Sequence, residues 1–395
     1  MKAGWQVRPL GEILEKTETV NPLQSPEEEF DYIDVSSISN RNFRIEAVQR
    51  LQGKNAPSRA RRLVRTNDIL FATIRPTLQR IAIVPVELNK QVCSTGYVIL
   101  RPKPELNYRF LFYYLFTEEF MGQMESLQKG ASYPAVTDGE IYSQPIAYPP
   151  LSEQQRIART LDKALGEVST VKSNTEKNIQ NAIDLFDQYL QEVFARRGDD
   201  WDEKRLSEVS VDFGRGKSKH RPRNDPALYG GKYPFIQTGD VRNSDHLITT
   251  FSQTYNDLGL AQSKLWPKGT LCITIAANIA ETGILGFEAC FPDSVIGVVV
   301  DAKQTSTKYL EYLLQSFKVH LQAQGKGSAQ ANINLATFEG QRFPFPSLKV
   351  QSEIVATLDS LRENIRHLES LYQRKLAALD ELKKSLLRQA FSGNL

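Results

Sequence analysis

Two stretches of the chain carry apolar residues in alternating steps of four and three. In the first they fall at Ile157, Leu161, Ala164, Val168, Val171, Ala182, Leu185 and Tyr189, with Thr175 and Asn178 as polar members. In the second they fall at Ile354, Leu358, Leu361, Ile365, Leu368, Tyr372, Leu379, Leu382 and Leu386, with Lys375 polar. This is the period of a coiled-coil seam. No proline interrupts either stretch, and Pro149-Pro150 and Pro346 stand just upstream. Prolines in that position mark a helix boundary. Ser152 with Gln155 forms a candidate capping box, and Gly198 and Gly393 stand where the helices should stop. At roughly 1.5 Å per residue each helix would be about 65 Å long. Neither can bury its stripe alone. Their equal length and phase, with a globular block between them, predict an antiparallel pair.

The remaining residues, 1–150 and 199–347, show the pattern of mixed α/β domains. Ile69–Ala72, Val98–Leu100, Leu271–Ile275 and Val298–Val300 are short apolar runs with strand composition. The aromatic-rich segments Tyr108–Leu115 and Lys308–Leu314 predict short core-facing helices. The order is therefore a block (1–150), a helix (151–198), a block (199–347) and a helix (348–395). The same order emerges as an internal repeat. Lys129-Gly130-Ala131-Ser132 reappears as Lys326-Gly327-Ser328-Ala329. Without a gap, Gln154 then lands on Gln351, Thr160-Leu161-Asp162 on Thr357-Leu358-Asp359, and Leu185, Leu190 and Phe194 on Leu382, Leu387 and Phe391. The blocks match more loosely, through Trp5 and Trp201 and through Tyr32-Ile33 and Phe235-Ile236. A period near two hundred residues makes a two-copy protein, not a solenoid. The expected fold is α+β, with two mixed α/β domains joined by a coiled coil, an internal pseudo-two-fold repeat, and termini close together.

Composition narrows the function. The 395 residues are 41% hydrophobic and 24% charged, and the formal charge is only +3. That excludes a histone-like polycation, so any nucleic-acid binding must rest on local clusters. The three cysteines cannot form a disulfide framework and make no Cys-x-x-Cys pair. No apolar run reaches membrane-spanning length, and the first residues lack the apolar core of a signal peptide. A cytoplasmic protein without membrane partners is expected.

A search for catalytic motifs finds none. The four histidines are dispersed without metal-ligand spacing. Gly216-Lys217-Ser218 resembles the end of a phosphate loop, but Val211 occupies the position of the required first glycine. Phe213-Gly214-Arg215-Gly216 is read as a flexible basic loop. Positive charge instead gathers in clusters, one set in each block. The first block has Arg59, Arg61, Arg62 and Arg65 without an intervening acid, then Arg75 to Arg80; the second has Arg215, Lys217, Lys219, His220, Arg221 and Arg223. A lone cluster of this kind is ordinarily a solvated loop. Clusters repeated in two copies of one domain point to phosphate and base-edge contact.

The junction Pro149-Pro150-Leu151-Ser152-Glu153-Gln154-Gln155-Arg156-Ile157 and the ending Leu386-Leu387-Arg388-Gln389-Ala390-Phe391 resemble those of type I restriction-modification specificity subunits. The second junction departs from the pattern, with Ser347 for the second proline and Val350 for the Glu. The resemblance implies that each block is a target recognition domain reading one half of an asymmetric split DNA site. The helices would then set the spacing and hold two modification subunits. No cofactor is expected in this chain: S-adenosylmethionine would belong to the modification subunits, and ATP and magnesium to the motor-nuclease subunits. Candidate DNA contacts in the first block are Ser36, Ser37, Arg75, Thr77, Gln79, Lys129, Ser132 and Tyr133. In the second they are Lys217, Lys219, Arg221, Arg223, Gln237, Thr238, Asn278, Lys326, Ser328 and Gln330. Two other readings stay open. One is a specificity subunit for a fused nuclease-methyltransferase of type II kind, and the other a coiled-coil scaffold that binds no DNA.

Overall fold

The computed structural model describes residues 4–196, 198, 200–276, 280–318 and 335–395. The chain divides into two compact units, Met1–Glu176 with Gln373–Leu395, and Lys177–Tyr372. The two long helices, Leu151–Ala195 and Leu348–Phe391, each contribute one half to each unit. The boundaries of compactness therefore fall in mid-helix, while the helix ends lie near the expected block edges.

In the first unit a three-stranded antiparallel sheet runs in the order Ile81–Ile83, Ile69–Ala72, Tyr97–Leu100. Its strands are buried on both faces, which explains their unbroken apolar runs. Ile69, Phe71, Val98 and Leu100 face the core that holds the helix Tyr108–Tyr114. Leu70, Ala72, Tyr97 and Ile99 face a second core shared with Ile33, Ile38 and Val64. A four-stranded sheet, in the order Gln49–Gln52, Glu29–Ile33, Val92–Ser94 and Ala60–Leu63, completes the block. Strand Gln6–Pro9 pairs with Pro145–Tyr148 just ahead of the first long helix. The Arg156 guanidinium of that helix donates to the Leu395 carbonyl at 2.6 Å, and Trp5 and Phe391 both pack against Phe110 in this unit.

The second unit repeats the plan with a five-stranded sheet. Its order is Ser210–Arg215, Val295–Val300, Leu271–Thr274, Thr282–Leu285, Leu247–Ile248. Leu271, Ile273, Ile296 and Val298 face the aromatic helix Thr307–Ser316, while Cys272 and Val295 face the opposite core. Strand Asp202–Lys204 pairs with Phe343–Phe345, the counterpart of the first block's terminal pair. Phe213, Gly214 and Arg215 are ladder residues opposite Val298, Gly297 and Ile296. They are an edge strand and not the flexible loop expected from their glycines, because the apolar strand Val295–Val300 supplies ladder partners along one side.

Each unit contains an antiparallel helix pair. In the first, Ile157 and Leu161 pack with Leu387 and Ala390, and Lys172 pairs with Asp380 at 2.6 Å. In the second, Phe186, Leu190 and Phe194 pack with Leu358 and Ile365. The expected seam is only partly the buried one. Leu185, Leu368 and Leu382 are exposed, as is Tyr189, while Phe186, Leu190 and Leu387 take the inward positions. The reason is the neighbouring aromatic helix: it offers Tyr309 to Phe194 at 5.6 Å and Phe110 to Phe391 at 4.9 Å, and this rotates the buried stripe. Ser152 is not the helix cap. The helix begins at Leu151, and the amides of Glu153 and Gln154 bond the Pro150 carbonyl. Gly393 does end the second helix, with a φ of 76°.

Candidate nucleic-acid interface

The same joint fastens each block to its long helix. Gln154 is fully buried; its amide donates to the carbonyls of Glu105 (2.9 Å) and Pro149 (2.8 Å) and its oxygen accepts from the Asn107 amide (2.8 Å). Gln351 donates to the carbonyls of Gln304 (2.9 Å) and Pro346 (3.0 Å) and accepts from Thr305 Oγ1 (2.8 Å). Two turns later Asp162 accepts from the Tyr113 hydroxyl and Arg109, at 2.6 and 2.8 Å. Asp359 does the same with Tyr312 and Lys308, at 2.8 and 2.6 Å. The faithfully repeated residues thus build a common frame, and the divergent ones lie in loops carried on it.

In the first block three of those loops converge. Residues Val35–Ser37 form a short turn capped by Asp34. The Arg80 guanidinium donates to the carbonyls of Val35 and Ile38 at 3.1 and 2.9 Å, and the Tyr97 hydroxyl donates to those of Asp34 and Val35 at 3.0 Å. Arg80 ends the loop that carries Arg75, Thr77 and Gln79, so that loop and the Val35–Ser37 turn are bound together. The third loop starts at Lys129, which exchanges backbone hydrogen bonds with Ala135. Across it the Arg75 amide donates to the Pro134 carbonyl, its guanidinium donates to the Ser132 carbonyl, and it stacks over Tyr133 at 5.2 Å. Tyr133 itself is 72% exposed. Ser36, Arg75, Thr77, Lys129, Ser132 and Tyr133 are exposed on these loops, and Gln79 is half-buried. Ser37 is turned inward, where its hydroxyl accepts from the Asp34 amide at 3.0 Å.

The arginine cluster at 59–65 does not stand free. Arg62 pairs with Asp138 at 2.7 Å and Arg65 pairs with Glu18. The acids missing from the local sequence arrive from distant segments. Lys129 likewise meets Glu140 at 2.9 Å, and backbone and side-chain bonds from Thr137 join Lys129 in holding the Glu140 carboxyl down to about 2.

In the second block the basic loop follows Gly216, where a Cβ would lie 2.2 Å from the Phe291 carbonyl oxygen; only glycine fits. The Gln262 side chain accepts from the amides of Lys219 and His220 at 2.6 and 3.1 Å. Arg221 turns back onto the carbonyls of Ser218 and His220, at 2.7 and 2.8 Å. Arg223 pairs with Asp293 at 2.7 Å. Lys217 and Lys219 are exposed and make no ion pair with a described residue. Gln237 and Thr238 open the short helix Thr238–Arg242, and the Gln237 amide group donates to Gln253 at 2.6 Å, not to the basic loop. Asn278, Lys326, Ser328 and Gln330 lie outside the described residues. Arg80, Tyr97 and Gln262 position these loops without any signature in the sequence. Their partners are backbone atoms far along the chain, a relation that no local pattern records.

Among the described residues no group of three or more His, Cys, Asp or Glu is placed to hold a metal ion. The cysteines are buried and free, and burial pushes the Cys93 thiol up to about 12. No described helix is long and apolar enough to cross a membrane.

A frame repeated twice, each time presenting unlike polar loops, defines a duplicated recognition protein. The type I restriction modification DNA specificity domain matches residues 2–182 and again 198–374, and the chain belongs to that family. It is 22% identical over 329 residues to the type I restriction enzyme StySPI specificity subunit of Salmonella potsdam, covering 77% of this chain and 69% of that relative. A chain solved in work on complex assembly and conformational transition of the type I R-M system superposes with a TM-score of 0.88 at 28% identity, covering 100% of this chain and 99% of the other. The HsdS subunit from Thermoanaerobacter tengcongensis superposes at 0.64 with 29% identity, covering 100% and 98%.

Proposed function

We propose that this chain is the DNA-reading, non-catalytic subunit of a cytoplasmic type I restriction-modification complex. Each block reads one half of a split, asymmetric DNA target. The observation that carries this reading is the contrast between the frame and its loops. The Gln154/Gln351 and Asp162/Asp359 joints are the same in both units, whereas the polar loops, apart from the Lys-Gly motif at 129 and 326, differ in sequence. Unlike loops on like frames call for two unlike half-sites.

Phosphate contacts would come from Lys217 and Lys219, and base contacts from Arg75, Thr77 and Gln79 beside Tyr133. The paired helices would set the number of unread base pairs and hold two modification subunits. A groove supports the second role. In one unit it is lined by Leu185, Tyr189, Ala356, Thr357, Ser360 and Leu361. In the other unit the repeat-equivalents Arg159, Thr160, Lys163 and Ala164 line a groove, and Leu382 is exposed in the place of Leu185. Two equivalent grooves suit two copies of one partner. Methyl transfer from S-adenosylmethionine and ATP-driven cleavage would belong to the partner subunits, with the target base flipped into the modification subunit.

Methylome sequencing of a host carrying the system tests the reading. A methylated bipartite motif with two unlike halves is expected, and its loss on deleting this chain alone. Methylation that persists without the chain overturns the proposal.

A further inference from the structure

We propose that Phe43 and His246 are equivalent positioning residues, each latching the first DNA-facing turn of its block onto the helices beneath it. The inference rests on the DNA-reading role above. The match of Tyr32-Ile33 with Phe235-Ile236 carries Asp34 onto Gln237, the N-caps of the two turns, and Phe43 onto His246. Both residues have left-handed backbones, with φ of 58° and 66°. That conformation is uncommon outside glycine; histidine is among the residues enriched in it, and phenylalanine is not.

Their side chains make the same contact with different chemistry. The Phe43 ring meets Phe116 edge-on at 4.6 Å, and the Lys383 ammonium lies 4.5 Å from the Phe43 ring centre and 5.1 Å from that of Phe116. The register that sets Tyr113 on Tyr312 sets Phe116 on Gln315. There the Gln315 amide lies 2.6 Å from His246 Nδ1, which is also 2.8 Å from the buried Glu311 carboxylate. Lys383 corresponds to Phe186, whose ring stacks with Arg362 at 4.7 Å, and Arg362 also bonds Gln315 at 3.3 Å. Asp245 adds an ion pair to Arg366 at 2.6 Å. Two positions have thus exchanged side-chain chemistry while their mutual contact persists, and the third, Phe186, reaches the pair through Arg362, which bonds Gln315. Each latch is also wired to its turn. The Glu46 amide bonds the Ser37 carbonyl at 2.9 Å and the Phe43 amide bonds the Ser39 carbonyl at 3.1 Å. In the other block the amides of Asn243 and Ser244, just ahead of His246, bond the carbonyls of Gly239 and Val241 in the turn at 2.9 and 3.3 Å, while the His246 carbonyl itself accepts from Ile284 of the neighbouring strand at 2.7 Å.

The test uses the full chain assembled with its modification subunits, and duplexes carrying the cognate site or either half scrambled. Glycine relieves the backbone at both positions, so Phe43→Gly and His246→Gly remove the latch without adding strain. Phe43→Gly is expected to lower discrimination at one half-site about tenfold, the weight of one mismatched base pair. His246→Gly should do the same at the other half-site only. Assembly and melting temperature should hold, and Phe43→Tyr should restore discrimination. If a glycine variant unfolds, Phe43→Leu or His246→Asn carries the same expectation. Discrimination kept at both halves by every variant, or abolished at both by one, overturns the latch. A wild-type complex that discriminates at neither half overturns the DNA reading instead.

Discussion

Lys217 and Lys219 project from a loop whose other cations are already engaged, which separates two roles within one basic cluster. Replacing both lysines by Ala should weaken DNA binding nearly uniformly across sequences. The slope of log affinity against log salt should fall by roughly 0.9 for each phosphate no longer neutralised. Arg221→Ala should instead blur sequence preference, since its guanidinium holds the loop's own carbonyls; competition with scrambled duplexes distinguishes the outcomes. Glu140 gives a pH signature. Its carboxyl is held from an ordinary 4.5 to about 2 by Thr137 and Lys129. A depressed carboxylate contributes stability above its unfolded pKa, and that contribution is lost as pH falls through the folded value. The Lys129–Ala135 loop should therefore loosen between about pH 4.5 and 2. Amide exchange across that window should show it, with the pH dependence abolished in Glu140→Gln.

At the scale of elements, the joints at Gln154 and Gln351 decide how each block sits on its own helix. Gln154→Ala strands the buried Pro149 carbonyl, at about 1–3 kcal/mol for a buried group left unpaired, and removes the partner of the half-buried Asn107 amide. Urea titration should show that loss, and Gln351→Ala a similar one, because the two side chains make matched sets of bonds. The same elements show how far sequence carries. The strands Ile69–Ala72 and Leu271–Thr274 and the aromatic helices were legible because apolar runs and helical periods survive in any context. The rotation of the seam onto Phe186 and Leu387 was not. It depends on which faces the aromatic helices occupy, and these come from elsewhere in the chain.

At the scale of the whole molecule, a duplicated reader predicts modular specificity. Exchanging residues 199–347 for the matching block of another family member should change one half of the methylated motif and leave the other intact. Changes in both halves would refute independent reading. Adding whole turns to both long helices should lengthen the unread spacer by a matching step, again read from the methylome. The near-neutral total charge takes on a different meaning at this scale. Arg62, Arg65 and Arg223 are matched by acids brought from distant segments, and Lys129 by nearby Glu140. Cations without a described acid, such as Lys217 and Lys219, are left at loop surfaces, and partner subunits would supply much of the remaining phosphate neutralisation.

By itself the sequence determined the duplication, the block–helix order, the core strands and the family. All of these are written in periodicity and repetition, which local chemistry enforces. Only the tertiary structure decided which polar residues are free to face a ligand. Ser37, Arg62 and Arg221 look as available in sequence as Lys217 and Lys219. Availability depends on whether a hydrogen-bond or ion-pair partner comes within reach, and for Arg62 that partner, Asp138, lies in another segment of the chain.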